Sequence, residues 1–489
     1  MERFKTKSPI LRNYPIWITG ALFVLFVGFS VALEFYVFAA IPFALLFVAW
    51  SFYHLNSLLL FVVAITPLSI SLKDSTFNLG VSLPTEPILA GITFFLLLRF
   101  LQNGKLPWSL LKHPVSIALL MQLSWMGFSI LTSEMPMVSF KSWISHIWFV
   151  VPLFFAMFNV FESKTARSRF FLLYAISLAI SCLYTLYVHS QYGFSKQTST
   201  WVMFPFYKEH TAYGMALAFI FPFAIYQVLK NQKLISYVLS AGLIMLLTIA
   251  TVFSYSRASW LSIVAALGVY LLIRFKVNLK YFFFGSFIVL SSLYVSQEHW
   301  MRVFTKNDTV SSDNFSEHIK SISNISTDAS NLERINRWMS AIRMFKERPL
   351  TGWGPGTYQF QYAPFQHSSE MTVISTNSGN RGNAHSEYIG LMAEQGLPGL
   401  ILMLVFLITL FSTGFRVVNA LKVGSDRSIA ICALLGLVSY FCHGVLNNFL
   451  DMDKAAVLVW GSASLLVFLD LKFKKEFYSS KKVKKSILE

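Results

Sequence analysis

Apolar stretches, each near the ~20 residues a helix needs to cross a hydrocarbon layer, follow one another through this chain from residue 16 to residue 470. Nothing constrains the fold more. A segment in lipid must satisfy every backbone N–H and C=O internally, so these stretches can only fold as helices packed on helices. A hydropathy walk finds roughly fourteen of them. They begin at 16–33, 37–53 and 57–72 and continue through 86–101, 115–131, 143–161, 170–189, 211–229, 234–253, 258–274 and 281–296. They close with 397–413, 428–446 and 454–470. The first three are crowded, so about twelve is the competing count. Composition agrees: 13% of the 489 residues are charged, where a soluble domain carries about 25%. The 48 phenylalanines are spread too widely for one soluble core. The expected fold class is all-α, a polytopic helical membrane bundle of about 12–14 spans with one long outer loop holding amphipathic helices.

A formal net charge of +17 would suggest nucleic acid in a soluble protein. Here Lys and Arg collect in short loops and tails, which sets orientation, and no nucleic-acid partner is expected. The tail from Lys472 to Lys485 is therefore cytoplasmic. So are the loops at Arg416–Arg427, Arg274–Lys280, Lys230–Lys233, Lys164–Arg169 and Lys105–Lys112, and the start of the chain from Arg3 to Arg12. No small-residue cleavage site follows the first apolar run, so that run is expected to be a retained span. Cys182, Cys432 and Cys442 all lie in apolar runs and read as packing residues, with no disulfide framework. The expected division is an N-terminal bundle over 1–296, a loop over 297–396, C-terminal helices over 397–470 and a basic tail over 471–489.

The outer loop is far longer than an ordinary connection, and such loops often carry function. Its first part, 307–330, is rich in Ser, Asn and Asp. The Asn-x-Ser/Thr triplets at Asn307, Asn314 and Asn324 carry little weight in so biased a segment. Its second part is patterned: Leu332, Ile335, Trp338, Met339, Ile342 and Phe345 share one helical face. Arg334 sits at the edge of that stripe, while Arg337 is expected further round, in solvent. Pro349 stops the helix. Gly352-Trp-Gly-Pro-Gly356 follows as a tight turn; it lacks the preceding strand and the Lys-Ser/Thr of a phosphate-binding loop, so it reads as a turn bringing backbone close to something.

Three side chains carry the chemistry. Arg257, between two spans joined by almost no loop, is either a snorkelling interface arginine beside Trp260 or a fixed guanidinium whose fork suits a diphosphate. Arg334 is either a surface charge on an amphipathic helix or a second such donor. His385, in Asn383-Ala-His-Ser-Glu-Tyr388, stands where membrane meets water at a helix start capped by Asn383 or Ser386. The positive end of the helix keeps its ring neutral, able to take a proton from an attacking hydroxyl, and the same helix start can hold a phosphate. Lys208-Glu-His210 precedes another span and either contacts substrate or is a polar loop. His367 reads as solvated, and His443 matches no zinc spacing. Asp451-Met-Asp453 has a metal-binding spacing but no further oxygen ligands, so no metal site is expected. There is no Gly-x-Ser-x-Gly elbow.

Taken in order, Ser256-Arg-Ala-Ser-Trp260, Arg334-Ile-Asn-Arg-Trp338, Arg348-Pro-Leu-Thr-Gly-Trp-Gly-Pro-Gly356 and Asn383-Ala-His-Ser-Glu-Tyr388 running on to Gly399 resemble the O-antigen ligase and polymerase superfamily of bacterial envelopes. The resemblance implies a metal-independent, cofactor-free membrane glycosyltransferase of the lipid-donor type in the bacterial inner membrane, active at the periplasmic face. Its partners would be an undecaprenyl-diphosphate-linked glycan donor, an acceptor that is a glycan, lipid A core or protein hydroxyl, and membrane lipids. It implies that Arg257 and Arg334 hold the diphosphate and His385 activates the acceptor. Lys208, His210, Arg337, Trp353 and Tyr388 are the further substrate-binding positions. Ligase, repeat-unit polymerase and protein O-glycosyltransferase stay open.

Two other classes compete. A lipid-linked sugar transporter would bury charges mid-span, where this chain has few, and would often show an inverted repeat, of which there is no sign. An envelope scaffold would use the outer loop only for docking.

Overall fold

A computed structural model describes residues 9–33, 36–73, 80–104, 107–230, 233–276, 329–372, 375 and 382–488. The expected span at 281–296 and the triplets at Asn307, Asn314 and Asn324 lie outside the described residues. The chain divides into two compact units, 1–58 and 59–489.

The first unit holds α1 (Pro9–Ala32) and the beginning of α2 (Tyr36–Ile65). Phe23 meets Phe43 edge to face, centroids 5.1 Å apart. Helical geometry fails inside α2 at His54 (φ −144°, ψ 47°). Side chains bridge the break: Trp50 Nε1 donates to Ser57 Oγ (2.9 Å), and Ser57 Oγ donates to the His54 carbonyl (2.8 Å).

The runs 37–53 and 57–72 meet at the break at His54 inside α2, and the second run stops being an α-helix at Ile65, short of the expected residue 72. A 3₁₀ turn (Thr66–Leu68) leads into β1 (Ile70–Lys73), which pairs antiparallel with β2 (Gly80–Leu83), Ile70 opposite Leu83. Proline cannot continue the ladder of α2, and its fixed φ suits the tighter turn.

The helices then follow in order: α3 (Thr85–Asn103), α4 (Trp108–Leu111), α5 (Pro114–Phe128), α6 (Pro136–Val150), a π turn (Val151–Ala156), α7 (Met157–Val160), α8 (Lys164–Ser190), α9 (His210–Lys230), α10 (Leu234–Phe253) and α11 (Arg257–Arg274). After the undescribed stretch come α12 (Ala329–Glu347), α13 (Tyr358–Gln361), α14 (Glu387–Ala420), α15 (Ser425–His443) and α16 (Asp453–Leu488). Among the described residues, ten helices are long and apolar enough to cross a membrane, and two more are apolar but shorter, Gly20–Ala32 and Pro114–Phe128. The chain is an all-α, multi-pass membrane protein.

Small residues set how closely the spans pack, because lipid tails supply no hydrophobic drive between helices. A Cβ at Gly436 of α15 would strike the Phe219 ring of α9, one at Gly461 of α16 the Phe170 ring, and one at Gly414 of α14 the Leu434 side chain. α16 is the most buried of the spans.

At one end of the bundle charges close it. Arg167 Nη1 donates to both oxygens of Asp426 (2.6 and 2.7 Å) and the guanidinium lies over the Phe468 ring, while Lys472 reaches the same carboxylate (3.2 Å). Asp470, fully buried, gathers His113 (3.2 Å), Arg416 (3.3 Å) and Lys474 (2.7 Å). Cys182, Cys432 and Cys442 are all free thiols.

Candidate functional site

At the opposite end, α9, α11 and α15 start or finish together, and a face of small residues joins them. A Cβ at Gly214 of α9 would collide with Ser259 and Ser256, so the backbone of α9 lies against the first turn of α11. Ser439 of α15 donates to Ser262 of α11 (3.1 Å). Positions four apart share a helix face. Gly214 therefore carries His210 to the start of α11, where Arg257 stands, and Ser439 carries His443 to the same place. The charges of Arg257 and Arg334 both act on His210, and Arg334 also acts on His443. His443 is buried beside Asn447, and its Nε2 has no hydrogen-bond partner among the described residues.

Arg334 arrives on α12, where the expected apolar stripe is not the buried face: Leu332 and Met339 are exposed, and the helix instead buries Glu333, Asn336, Arg337, Ser340, Ala341 and Met344. Trp338, one turn beyond Arg334, donates its indole N–H to the His385 carbonyl (3.3 Å). That bond ties the arginine's helix to the histidine's turn. His385 itself adopts a left-handed conformation (φ 49°) that L residues rarely take. Its N–H donates to Asn383 Oδ1 (3.0 Å). Ser386, one of the two expected caps, receives the N–H groups of Tyr388 and Ile389 (both 3.4 Å) and starts α14.

The neighbouring Glu387 locks the turn to the rest of the protein. It accepts from Tyr440 Oη (2.5 Å) and from the N–H groups of Phe449 (2.7 Å) and Leu450 (3.0 Å). A loop residue held this firmly in a strained conformation is over-determined by its surroundings, as functional positions often are.

Burial first, and then the charges of Arg334 and Arg337, bring the His385 imidazole down to about 3, with Glu333 opposing. The ring is neutral at physiological pH. Glu209 lies in the same region: burial raises its carboxyl, while Arg334 and Lys208 act in the other direction. The charge of Arg334 thus acts on His385, His210, His443 and Glu209, and that of Arg257 on His210.

Other expected positions play different parts. Arg337 is not in solvent: it is 4% exposed, paired with Glu333 (2.7 Å) and stacked on Tyr362 (4.5 Å). The helical wheel misplaced it because the segments 358–365 and 368–372 cover the face assigned to water. Trp353 is buried, donating to the Met344 carbonyl (2.9 Å) under the Arg348 guanidinium. Tyr388 donates to the Phe441 carbonyl (2.9 Å). Lys208 and His367 are exposed. Asp453 turns away from Asp451, towards Ser69, Thr85 and Lys454.

The glycine turn does bring backbones together. Gly354 N–H donates to the Glu394 carbonyl (2.8 Å), Trp353 N–H to Ala393 (3.1 Å), and the Glu394 carboxylate accepts from Gly356 (2.9 Å) and Tyr358 (3.0 Å). Gly352 (φ 67°) leaves no room for a Cβ against Glu394. The segment 352–358 is stitched to α14 about two turns beyond its start.

Residues 241–404, about a third of the chain, match the family model described as O-antigen ligase. The chain carries an O-antigen ligase domain. That matched stretch contains Arg257, Arg334, Trp353 and His385, whereas His210 and His443 come to the site from outside it. No curated protein matches the chain. The match supports a ligase- or polymerase-like activity in general terms.

Sequence reasoning missed His443. It was judged by zinc spacing, yet the usable signal was its place one turn beyond Ser439 on a face of small polar residues, matching Ser256, Ser259 and Ser262 on α11.

Proposed function

We propose that this membrane protein transfers a glycan from an undecaprenyl diphosphate carrier to an acceptor hydroxyl at the periplasmic face. One observation carries the reading: two guanidinium groups and a neutral imidazole, distant in sequence, converge at one end of four helices. The direction of those helices supports the periplasmic assignment. α9 runs from His210 to Lys230, α11 from Arg257 to Arg274, α14 from beside His385 to Arg416, and α15 from Arg427 to His443. Each has the site at one end and basic residues at the other, and basic ends stay in the cytoplasm.

Arg257 and Arg334 hold the diphosphate of the donor. His385 takes the proton of the acceptor hydroxyl as its oxygen bonds to the anomeric carbon. The bond from that carbon to the diphosphate breaks, and the departing oxygen keeps the electron pair, its growing charge met by the two guanidinium groups. Transport fits less well, since the Asp, Glu, Lys and Arg residues of the described spans lie towards their ends.

The test is to incubate the purified protein with a lipid-diphosphate glycan and lipid A core, repeat-unit or protein acceptors, and to identify the product. The expected result is one transferred glycan. His385→Ala, Arg257→Ala and Arg334→Ala should each lose at least 100-fold in kcat/KM, within the range of a general base or an oxyanion donor, while inserting normally. Full activity in His385→Ala would remove the base from the scheme.

A further inference from the structure

A cavity of about 180 Å³ lies on the other face of the 383–387 turn, enclosed by α5, α6, α14, α16 and the turn before α16. Ser386 and Glu387 line it, whereas His385, between them, does not. Neither Arg257 nor Arg334 lines it, and no Lys or Arg does. Its polar groups are amides, hydroxyls, an indole, the His146 imidazole and carboxylates. Glu394 spends both oxygens on backbone N–H groups, Glu387 accepts its three hydrogen bonds through Oε1, and Asp451 is the exposed carboxylate. An anion would find no Lys or Arg there, and carboxylates beside it.

Three buried atoms on the wall have no hydrogen-bond partner among the described residues: Trp460 Nε1, Gln122 Oε1 and Asn448 Oδ1. Trp460 is 3% exposed. Gln122 uses its NH₂ on Gln395 (3.2 Å), which leaves its carbonyl oxygen unused. Buried polar groups are ordinarily satisfied, so three orphans on one wall point to an absent partner. One donor and two acceptors suit a ligand whose groups both give and take protons, as sugar hydroxyls do.

We propose that this cavity binds one uncharged sugar ring of the glycan handled at the charged site, with Trp460, Gln122 and Asn448 as its hydrogen-bonding contacts. The inference rests on the glycan-transfer reading. It divides the substrate across the 383–387 turn, with the diphosphate on the arginine side and the sugar on the amide side. The volume, several times the ~30 Å³ share of one water, takes a ring and excludes a polymer. The ring can come from the donor or from a glycan acceptor.

The probe is the soluble oligosaccharide repeat released from the host cell's own lipid carrier, titrated by saturation-transfer NMR into full-length protein in detergent. Wild type and His385→Ala should bind it equally. Trp460→Phe, which keeps the ring and loses the N–H, and Gln122→Leu should each weaken binding roughly fivefold, the effect of one neutral hydrogen bond. In transfer assays a raised KM for the lipid-linked glycan alone assigns the ring to the donor, and a raised KM for the acceptor alone assigns it to the acceptor. Equal binding and unchanged KM in both variants overturn the proposal. Trp460-dependent binding by a protein that transfers nothing would keep the cavity and discard the transfer reading.

Discussion

His385 has an imidazole held down at about 3, which leaves it neutral but weakly basic. Its donor would change that. A bound diphosphate brings negative charge beside Arg334 and Arg257, offsets the positive field that disfavours imidazolium, and raises the ring towards the range useful to a base. The sign is testable. kcat/KM reports the free protein and kcat the complex. The acid limb of kcat should therefore lie at higher pH than that of kcat/KM, and the gap should close in Arg334→Ala, which lacks much of the field. Coincident limbs in wild type would mean the bound anion does not reach the ring. At this scale the sequence was partly legible. Arg257, Arg334 and His385 stand in contiguous motifs next to helix ends, where polar residues are conspicuous. His443 hides within an apolar run, and Arg337 looked exposed because its covering segments are helical turns of three or four residues, too short to show a period.

Among the elements, α9, α11 and α15 make the site by touching closely, and Gly214 is the closest approach. Gly214→Ala places a methyl group against Ser259 and Ser256. Overpacking of this kind costs about 1–3 kcal/mol, too little to prevent insertion. It should still push His210 from Arg257 and lower transfer about tenfold or more, since small misplacements are costly in catalysis. Adding Ser259→Gly should restore part of the activity. Unchanged transfer in the single variant would separate helix spacing from function. Hydropathy drew α10 to the residue, 234–253, because its boundaries are sharp changes from polar to apolar. It failed at 57–72, where averaging over the window hid Pro67 and the short hairpin beyond it. Four-residue strands carry too little alternation to compete with an apolar average.

For the whole molecule, composition announced a membrane bundle, but not which helices meet. That depends on single small residues and on charged closures such as Arg167–Asp426, distant in sequence. Arg167 is 2% exposed. Losing its carboxylate would leave a buried cation with only carbonyls and Lys472's former place beside it, a change that costs about 3–5 kcal/mol. Asp426→Ala should lower the melting temperature of the detergent-solubilised protein by several degrees while leaving KM for the donor unchanged, because the closure lies at the end of the bundle away from the site. An unaltered melting temperature would show that the clamp contributes little.

In the proposed reaction two arginines from separate helices grasp one diphosphate while a histidine does the proton transfer. Binding of undecaprenyl diphosphate to the purified protein measures this directly. Arg257→Ala and Arg334→Ala should each weaken binding at least tenfold, a charge-assisted pair being worth more than a neutral hydrogen bond, and His385→Ala should bind like wild type while transferring nothing. Wild-type affinity in both arginine variants would contradict the account.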